Sequence, residues 1–429
     1  MNTPKPYTRR DFLRSSLPLA AAFGTVPHFL SQTVLAAPNT DTLSSIPGMP
    51  DDRILIVLQL SGGNDGLNTL VPYEDARYFN LRPELSLRPR DLIRINDQIG
   101  LHPALQEAHR LFDDGDLAWI QNVGYPNPNR SHFRSMEIWE TASGANQKIP
   151  HGWLGRYVDA QCGGDDPIPA TAAITIGKEL PQALRTPAGG AAGVVVDDPD
   201  AYAWKPAARS STQDARQRGL FLDQTQNGLL NEGPAHHIEY LQRTAVDAAL
   251  SSDLIAQAGQ KYRSRIEYPN HRLGRDMQLI ARFIGGGLKS RVFYLRHGGF
   301  DTHANQPGVH DRLLRQLAES LTAFRRDMTR QGHWDRILLM GFSEFGRRAA
   351  ENNSQGTDHG AAGPMLLVGG QVKGGLHGNT PDLGKLVNGD VPHETDFRAV
   401  YGSILDQWLG LPHIPILGGK FDQLALFRK

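Results

Sequence analysis

The chain predicts an α/β fold built on a doubly wound, mainly parallel sheet, and three observations carry that expectation. Short apolar runs without polar alternation recur, most clearly Ile54-Leu55-Ile56-Val57-Leu58-Gln59-Leu60, closed by Ser61-Gly62-Gly63-Asn64-Asp65-Gly66. Stretches with helical apolar spacing lie among them. Acidic and histidine residues gather just past two of the runs. A continuous apolar run closed by glycines fits a central parallel strand covered on both faces. Strands alternating with helices imply βαβ units, whose ligands sit at the strands' C-terminal ends.

In chain order, Thr8-Arg9-Arg10-Asp11-Phe12-Leu13-Arg14 reads as a twin-arginine export signal, followed by a weakly apolar stretch and small residues at Val34-Leu35-Ala36-Ala37. Pro18, Gly24, Pro27 and His28 interrupt that stretch, which falls short of the roughly 20 apolar residues of a spanning helix. Residues 1–37 are therefore expected to be a removable signal peptide and 38–429 the exported domain, soluble in the periplasm. The translocase of the twin-arginine pathway is the expected partner during export. After the strand at 54–60, Leu117 to Val123 forms a second apolar run. Residues 163–206 are dense in Pro and Gly and predict loops, with short strands at Ala173 to Ile176 and Val194 to Val196. Residues 207–286 are rich in Gln, Arg, Ala and Asp, with helical spacing at Ile238, Leu241, Ala245 and Ala249, and predict a helical insertion. Arg291 to Arg296, Ile337 to Phe342 and Met365 to Val368 are further strands. Leu313, Leu314, Leu317, Leu321 and Phe324 place a helix over His310 to Arg330. A last helix over Asp396 to Leu409 stops at Gly410 and Pro412.

Charge excludes some functions. The full chain has 45 basic and 45 acidic residues; removing residues 1–37 leaves 41 and 44, a net charge of −3. That is no footprint for nucleic acid, and no dense basic run points to a membrane surface. Cys162 is the single cysteine, so no internal disulfide forms.

The chemistry concentrates in two segments. Gly298-Gly299-Phe300-Asp301-Thr302-His303 follows one strand, with His310 further on. Ser343-Glu344-Phe345-Gly346-Arg347 follows another and leads to Thr357-Asp358-His359-Gly360. Carboxylates and imidazoles at strand ends supply the lone pairs that a divalent cation takes up at about 2.0 to 2.2 Å. One or two ions of zinc, manganese or calcium are the expected cofactor.

Together with the export signal, Gln59-Leu60-Ser61-Gly62-Gly63-Asn64-Asp65-Gly66-Leu67-Asn68, Arg130-Ser131-His132-Phe133, Gly299-Phe300-Asp301-Thr302-His303, Ser343-Glu344-Phe345-Gly346-Arg347 and Thr357-Asp358-His359-Gly360 resemble the exported family called domain of unknown function 1501. More distantly the chain resembles the alkaline phosphatase superfamily, which includes arylsulfatases and phosphopentomutase. The resemblance implies an alkaline-phosphatase-like fold and a metal-dependent hydrolase of a phosphate or sulfate ester, with a small-molecule or glycan substrate. It implies Asp65 as ligand to one metal and Ser131 as nucleophile at a helix N-terminus. Asp301 and His303 would hold a second metal, spaced two residues apart where the superfamily has four. Glu344 stands for an aspartate, Phe345 for a histidine, and His359 is the final ligand. Asp358 fills the position that Phe345 leaves or orients His359, while Arg130 and Arg134 offset charge on the ester oxygens. A different alignment makes Asp358-His359 the Asp-His pair and His377 the last ligand.

Each residue also has a plainer reading. Asp65 caps the turn after the first strand, Ser131 is a helix N-cap, and Glu344 and Arg347 form a structural ion pair. His132 and Arg134 lie on the surface or hold an anion beside the helix terminus, and His310 starts its helix or lies just behind the metal ligands. A metal-stabilised binding or assembly protein on the same fold is the alternative function.

Overall fold

A computed structural model describes residues 52–162, 169–198 and 251–428. The expected export signal, residues 1–37, and residues 207–250 of the expected insertion lie outside the described residues. Of the remaining insertion, residues 251–261 are helical and Arg272–Gly285 forms helix α2.

Among the described residues the main sheet has nine strands. These are β1 (Ile54–Ser61), β2 (Leu117–Gly124), β3 (Ala173–Ile176), β4 (Val194–Val196), β5 (Val292–Gly298), β6 (Ile337–Phe342), β7 (Gly363–Val368), β8 (Gly375–His377) and β9 (Thr395–Asp396). Their order is β8-β2-β7-β6-β1-β5-β3-β4, with β9 also paired to β2. β1 lies at the centre, parallel to β5 and β6, with Leu55 in register with both Val292 and Leu338. The expected mainly parallel sheet is the one observed. One strand departs from it, because β7 runs antiparallel to both β2 and β6.

Alternate residues of β1 feed two cores, which is why its sequence shows no polar alternation. Ile54, Ile56, Leu58 and Leu60 pack on one face with α2 and with α3 (Gln306–Arg330). Leu55 and Val57 face the opposite core. That core holds Trp139 of α1 (His132–Thr141), Tyr401 of α4 (Phe397–Ile404), and Trp408. Burial of each large side chain contributes on the order of 1.5–3 kcal/mol, so helices on both faces hold the sheet as a doubly wound layer. No helix among the described residues is long and apolar enough to cross a membrane.

The topology fixes where chemistry gathers. β1, β2, β5 and β6 all end at one edge of the sheet, and reversed β7 begins there. The loops at 62–66, 125–131, 299–303, 343–347 and 357–362 therefore share that edge.

Candidate metal centre

Two glycines let the loops close on one another. Gly62 and Gly63 have φ of +119° and +83°, a region that side chains disfavour. A Cβ on Gly62 would lie 2.3 Å from the Asp301 backbone nitrogen, and one on Gly63 2.5 Å from the Phe345 ring. Arg347, fully buried, then binds the loops together. Its guanidinium donates to the carbonyls of Gly62, Gly63 (2.7 Å), Phe300 (2.8 Å) and Thr357 (2.7 Å), and to Asp301 Oδ1 at 2.8 Å. The expected pair of Arg347 with Glu344 is replaced by this pair with Asp301.

Asp301 is the centre of the cluster. Nε2 of His303 lies 3.1 Å and Nε2 of His359 3.0 Å from its Oδ1, and Nε2 of His132 lies 3.3 Å from its Oδ2. Burial alone would raise the Asp301 pKa, but hydrogen bonds from His359 and Arg347 and the Arg347 charge overcome it and lower it to about 2. The carboxylate, nearly half exposed, is ionised at neutral pH. Ligand atoms of His132, Asp301 and His359 all lie within 4.8 Å of one another.

A backbone carbonyl and two carboxylates hold the other ring nitrogens. Nδ1 of His359 meets the Arg130 carbonyl at 2.8 Å, Nδ1 of His303 meets Asp358 Oδ1 at 3.1 Å, and Nδ1 of His132 meets Glu344 Oε1 at 2.9 Å. Glu344 is buried and also accepts from the Gly62 nitrogen at 2.8 Å; its Oε2 is buried with no hydrogen-bond partner. Hydrogen bonding to Glu344 raises the His132 pKa against the opposing effect of burial. Hydrogen bonds from His303 and Asn352 lower that of Asp358. Imidazole nitrogens converging on an ionised carboxylate form a donor set that fits a divalent cation.

The structure distributes the expected residues unevenly. It brings Asp301, His303 and His359 together. Glu344 and Asp358 lie one step behind, on the imidazoles of His132 and His303. Asp358 therefore orients His303 where the sequence suggested His359. Asp65 is not brought into the cluster. It caps the short helix Gly66–Thr69, is almost wholly buried, and pairs with buried Arg82 at 2.6 Å while accepting from Gln306 at 2.5 Å. Burial would raise its pKa, but the Arg82 charge and the hydrogen bonds lower it. His310 lies inside α3 and bonds Asn64 at 2.9 Å; burial lowers its pKa to about 3. His377 binds the Lys373 carbonyl instead of the cluster.

The two arginines expected to meet an ester are engaged elsewhere. Arg130 pairs with buried Asp390, and Arg134 pairs with Glu137 at 2.6 Å and donates to the carbonyls of Gly144, Ala145 and Gln147. Ser131 precedes α1, is exposed, and makes no side-chain capping bond. Its plainer reading as a capping hydroxyl therefore fails.

His132 is the residue that sequence reasoning missed as a member of the cluster. Its only signal was its place beside Ser131 in Arg130-Ser131-His132-Phe133.

The set of loop motifs on this fold defines an α/β protein with a His/Asp centre. Residues 52–406 match the model of the family described as "Protein of unknown function (DUF1501)", and the chain belongs to that family. No curated protein matches the chain. Among solved structures, it is similar to a protein in the alkaline phosphatase superfamily from Vibrio parahaemolyticus (10% identity, 95% of this chain and 78% of that one, TM-score 0.37). It is also similar to the C-terminal periplasmic domain of EcEptC from Escherichia coli in complex with zinc (9%, 77% and 77%, 0.36). A third is the PsFucS1 sulfatase from Pseudoalteromonas sp. (11%, 87% and 71%, 0.34). The activity named for each belongs to that protein.

Proposed function

We propose that the chain is a metal-dependent hydrolase of phosphate or sulfate esters, working in the periplasm after twin-arginine export. The observation that carries this reading is the solvent-open cluster of His132, Asp301 and His359, with exposed Ser131 immediately before His132 in the chain. The cation, zinc or manganese or calcium, would be held by Asp301 and the imidazoles around it. When bound, it supplies Lewis-acid stabilisation of an ester oxygen.

Ser131 supplies the attacking oxygen. Unpaired N–H groups in the first turn of α1 favour negative charge at this helix end. The Oγ–phosphorus or Oγ–sulfur bond forms in line as the ester bond to the alcohol breaks. The hydroxyl proton leaves to water, which reaches this exposed residue, and the departing alkoxide takes a proton from water. A water molecule then breaks the Ser131 ester and returns the hydroxyl. Arg130 contributes through its carbonyl, which holds the His359 ring, and Arg134 fixes the loop behind α1.

A second reading, a metal-stabilised binding or assembly protein without turnover, is favoured by two observations. Both Arg130 and Arg134 are already engaged, and Phe345 lies against the His132 and His359 rings, 4.9 and 4.4 Å between centroids. Aryl phosphate and aryl sulfate, assayed with and without added metal on wild type and Ser131→Ala, separate the two. Turnover that disappears in Ser131→Ala with metal content intact supports the covalent route. Turnover that survives it makes water the attacking group, and wild type inert toward every ester despite bound metal favours the binding protein.

A further inference from the structure

Beneath the cluster lies a buried amide that no step of the proposed reaction uses. Gln306 is the first residue of α3 and has no exposed surface. Its Nε2 donates to Asp65 Oδ2 at 2.5 Å, and its Oε1 accepts from the hydroxyls of Thr302 at 3.1 Å and Thr357 at 2.7 Å. The partners fix this orientation. Asp65, its pKa lowered beside Arg82, can only accept, so the NH2 group faces it and the carbonyl oxygen is left for both hydroxyls. Glutamate in this place would set a second carboxylate against Asp65. Methionine would fill the space but give Asp65 no donor.

The position of those hydroxyls gives the amide its reach. Thr302 lies between Asp301 and His303, and Thr357 directly precedes Asp358 and His359. Both threonines are buried. The two turns also meet directly, the Thr357 nitrogen donating to the Thr302 carbonyl at 3.2 Å. At the start of α3, the nitrogens of Asn305 and Gln306 donate to the carbonyls of Ser354 and Gln355 at 3.0 and 2.8 Å. A 25-residue helix therefore presents one amide to both turns from a rigid base.

We infer that Gln306 is a positioning residue. It ties the turn of Asp301 and His303 to the turn of Asp358 and His359, and both to the buried pair of Asp65 and Arg82. It acts through the two threonines and supplies no ligand to a cation. Without it, two buried hydroxyls lose their acceptor, and the turns shift to recover one. The inference rests on the proposed function only for the cation that the turns would hold; the tie itself is measurable without metal.

The test is Gln306→Met in the full-length protein, stripped with chelator and followed by amide hydrogen exchange. The Thr357 amide should exchange roughly 5- to 100-fold faster, the range for a buried hydroxyl left without its acceptor. The Leu55 amide, bonded to the Arg291 carbonyl in the sheet, should change much less. Zinc titration of the same variant should show binding weakened roughly 10–100-fold, as for other groups that orient ligands from behind. Thr357→Val removes one hydroxyl at constant shape and serves if the methionine variant does not fold. Added to Gln306→Met, it should weaken zinc binding no further. An unchanged Thr357 amide, an equal rise at Thr357 and Leu55, wild-type zinc affinity in Gln306→Met, or additive losses in the double variant would each overturn the inference. Wild type that binds no zinc, with the Thr357 amide still responding to Gln306→Met, would sink the metal reading alone.

Discussion

Asp65 offers the sharpest contrast between a resemblance and a structure, because the two predict different losses for one substitution. As a metal ligand, Asp65→Asn would take metal and activity together. The structure instead makes Asp65 half of a buried ion pair. Arg82, with no exposed side-chain surface, meets Asp65 Oδ2 at 2.6 Å, Asn68 Oδ1 at 2.7 Å, and the carbonyls of Ala349 and Arg348 at 2.9 and 3.0 Å. Removing one partner of such a pair strands the other charge away from water and costs about 3–5 kcal/mol. Arg82→Met should reach that range, since Asp65 keeps only the amide donors of Gln306 and Asn68. Asp65→Asn should lie near its lower end, about 3 kcal/mol, because Arg82 keeps three neutral acceptors. The acid limb carries the same information. The folded-state pKa of Asp65 is lowered, so its contribution is full above the unfolded value of about 3.9 and lost as pH falls through the folded one. That part of the acid destabilisation should be missing in Asp65→Asn. Urea unfolding belongs on chelator-stripped protein, since bound metal adds its own stabilisation of the folded state. Asp65→Asn unfolding at the wild-type urea concentration, yet losing its metal, would refute the ion-pair account and return Asp65 to the centre.

Gly62→Ala should destabilise the protein by at least about 1–3 kcal/mol from backbone strain and lower zinc affinity, because its Cβ would displace the Asp301 backbone; wild-type affinity in a titration would contradict this. Phe345→Ala removes a buried ring packed on His132 and His359 and should cost about 3–5 kcal/mol in chemical denaturation, a loss that a surface ring would not show. Replacing Arg9 and Arg10 with lysine should leave the uncleaved chain in the cytoplasm on fractionation; unchanged processing near Pro38 would refute the export assignment.

The sequence discloses residues whose neighbours are local and hides those whose neighbours are not. β1, β5 and β6 were readable because a strand covered on both faces is apolar at most positions, and glycines directly follow the first two. The reversal of β7 left no such mark, since a strand inside the sheet is apolar whichever way it runs. Asp301, His303 and His359 stood out because each lies in a polar turn directly off a strand. His132 did not, because its role depends on the loop after β2 reaching across β7 to the ends of β6, β1 and β5, two, three and four strands away. The same limit explains Asp65, Glu344 and Asp358. A motif reports that an acid is present at a strand end, but not which cation or imidazole meets it. Arg82 lies 17 residues from Asp65 in a segment without any motif, and its guanidinium supplies the positive charge that the resemblance assigned to a metal. Glu344 and Asp358 are held the same way, by imidazoles that come from other loops. What a resemblance carries over is therefore the position of a charge, and the packing of distant loops decides whether a metal, an arginine or a histidine answers it.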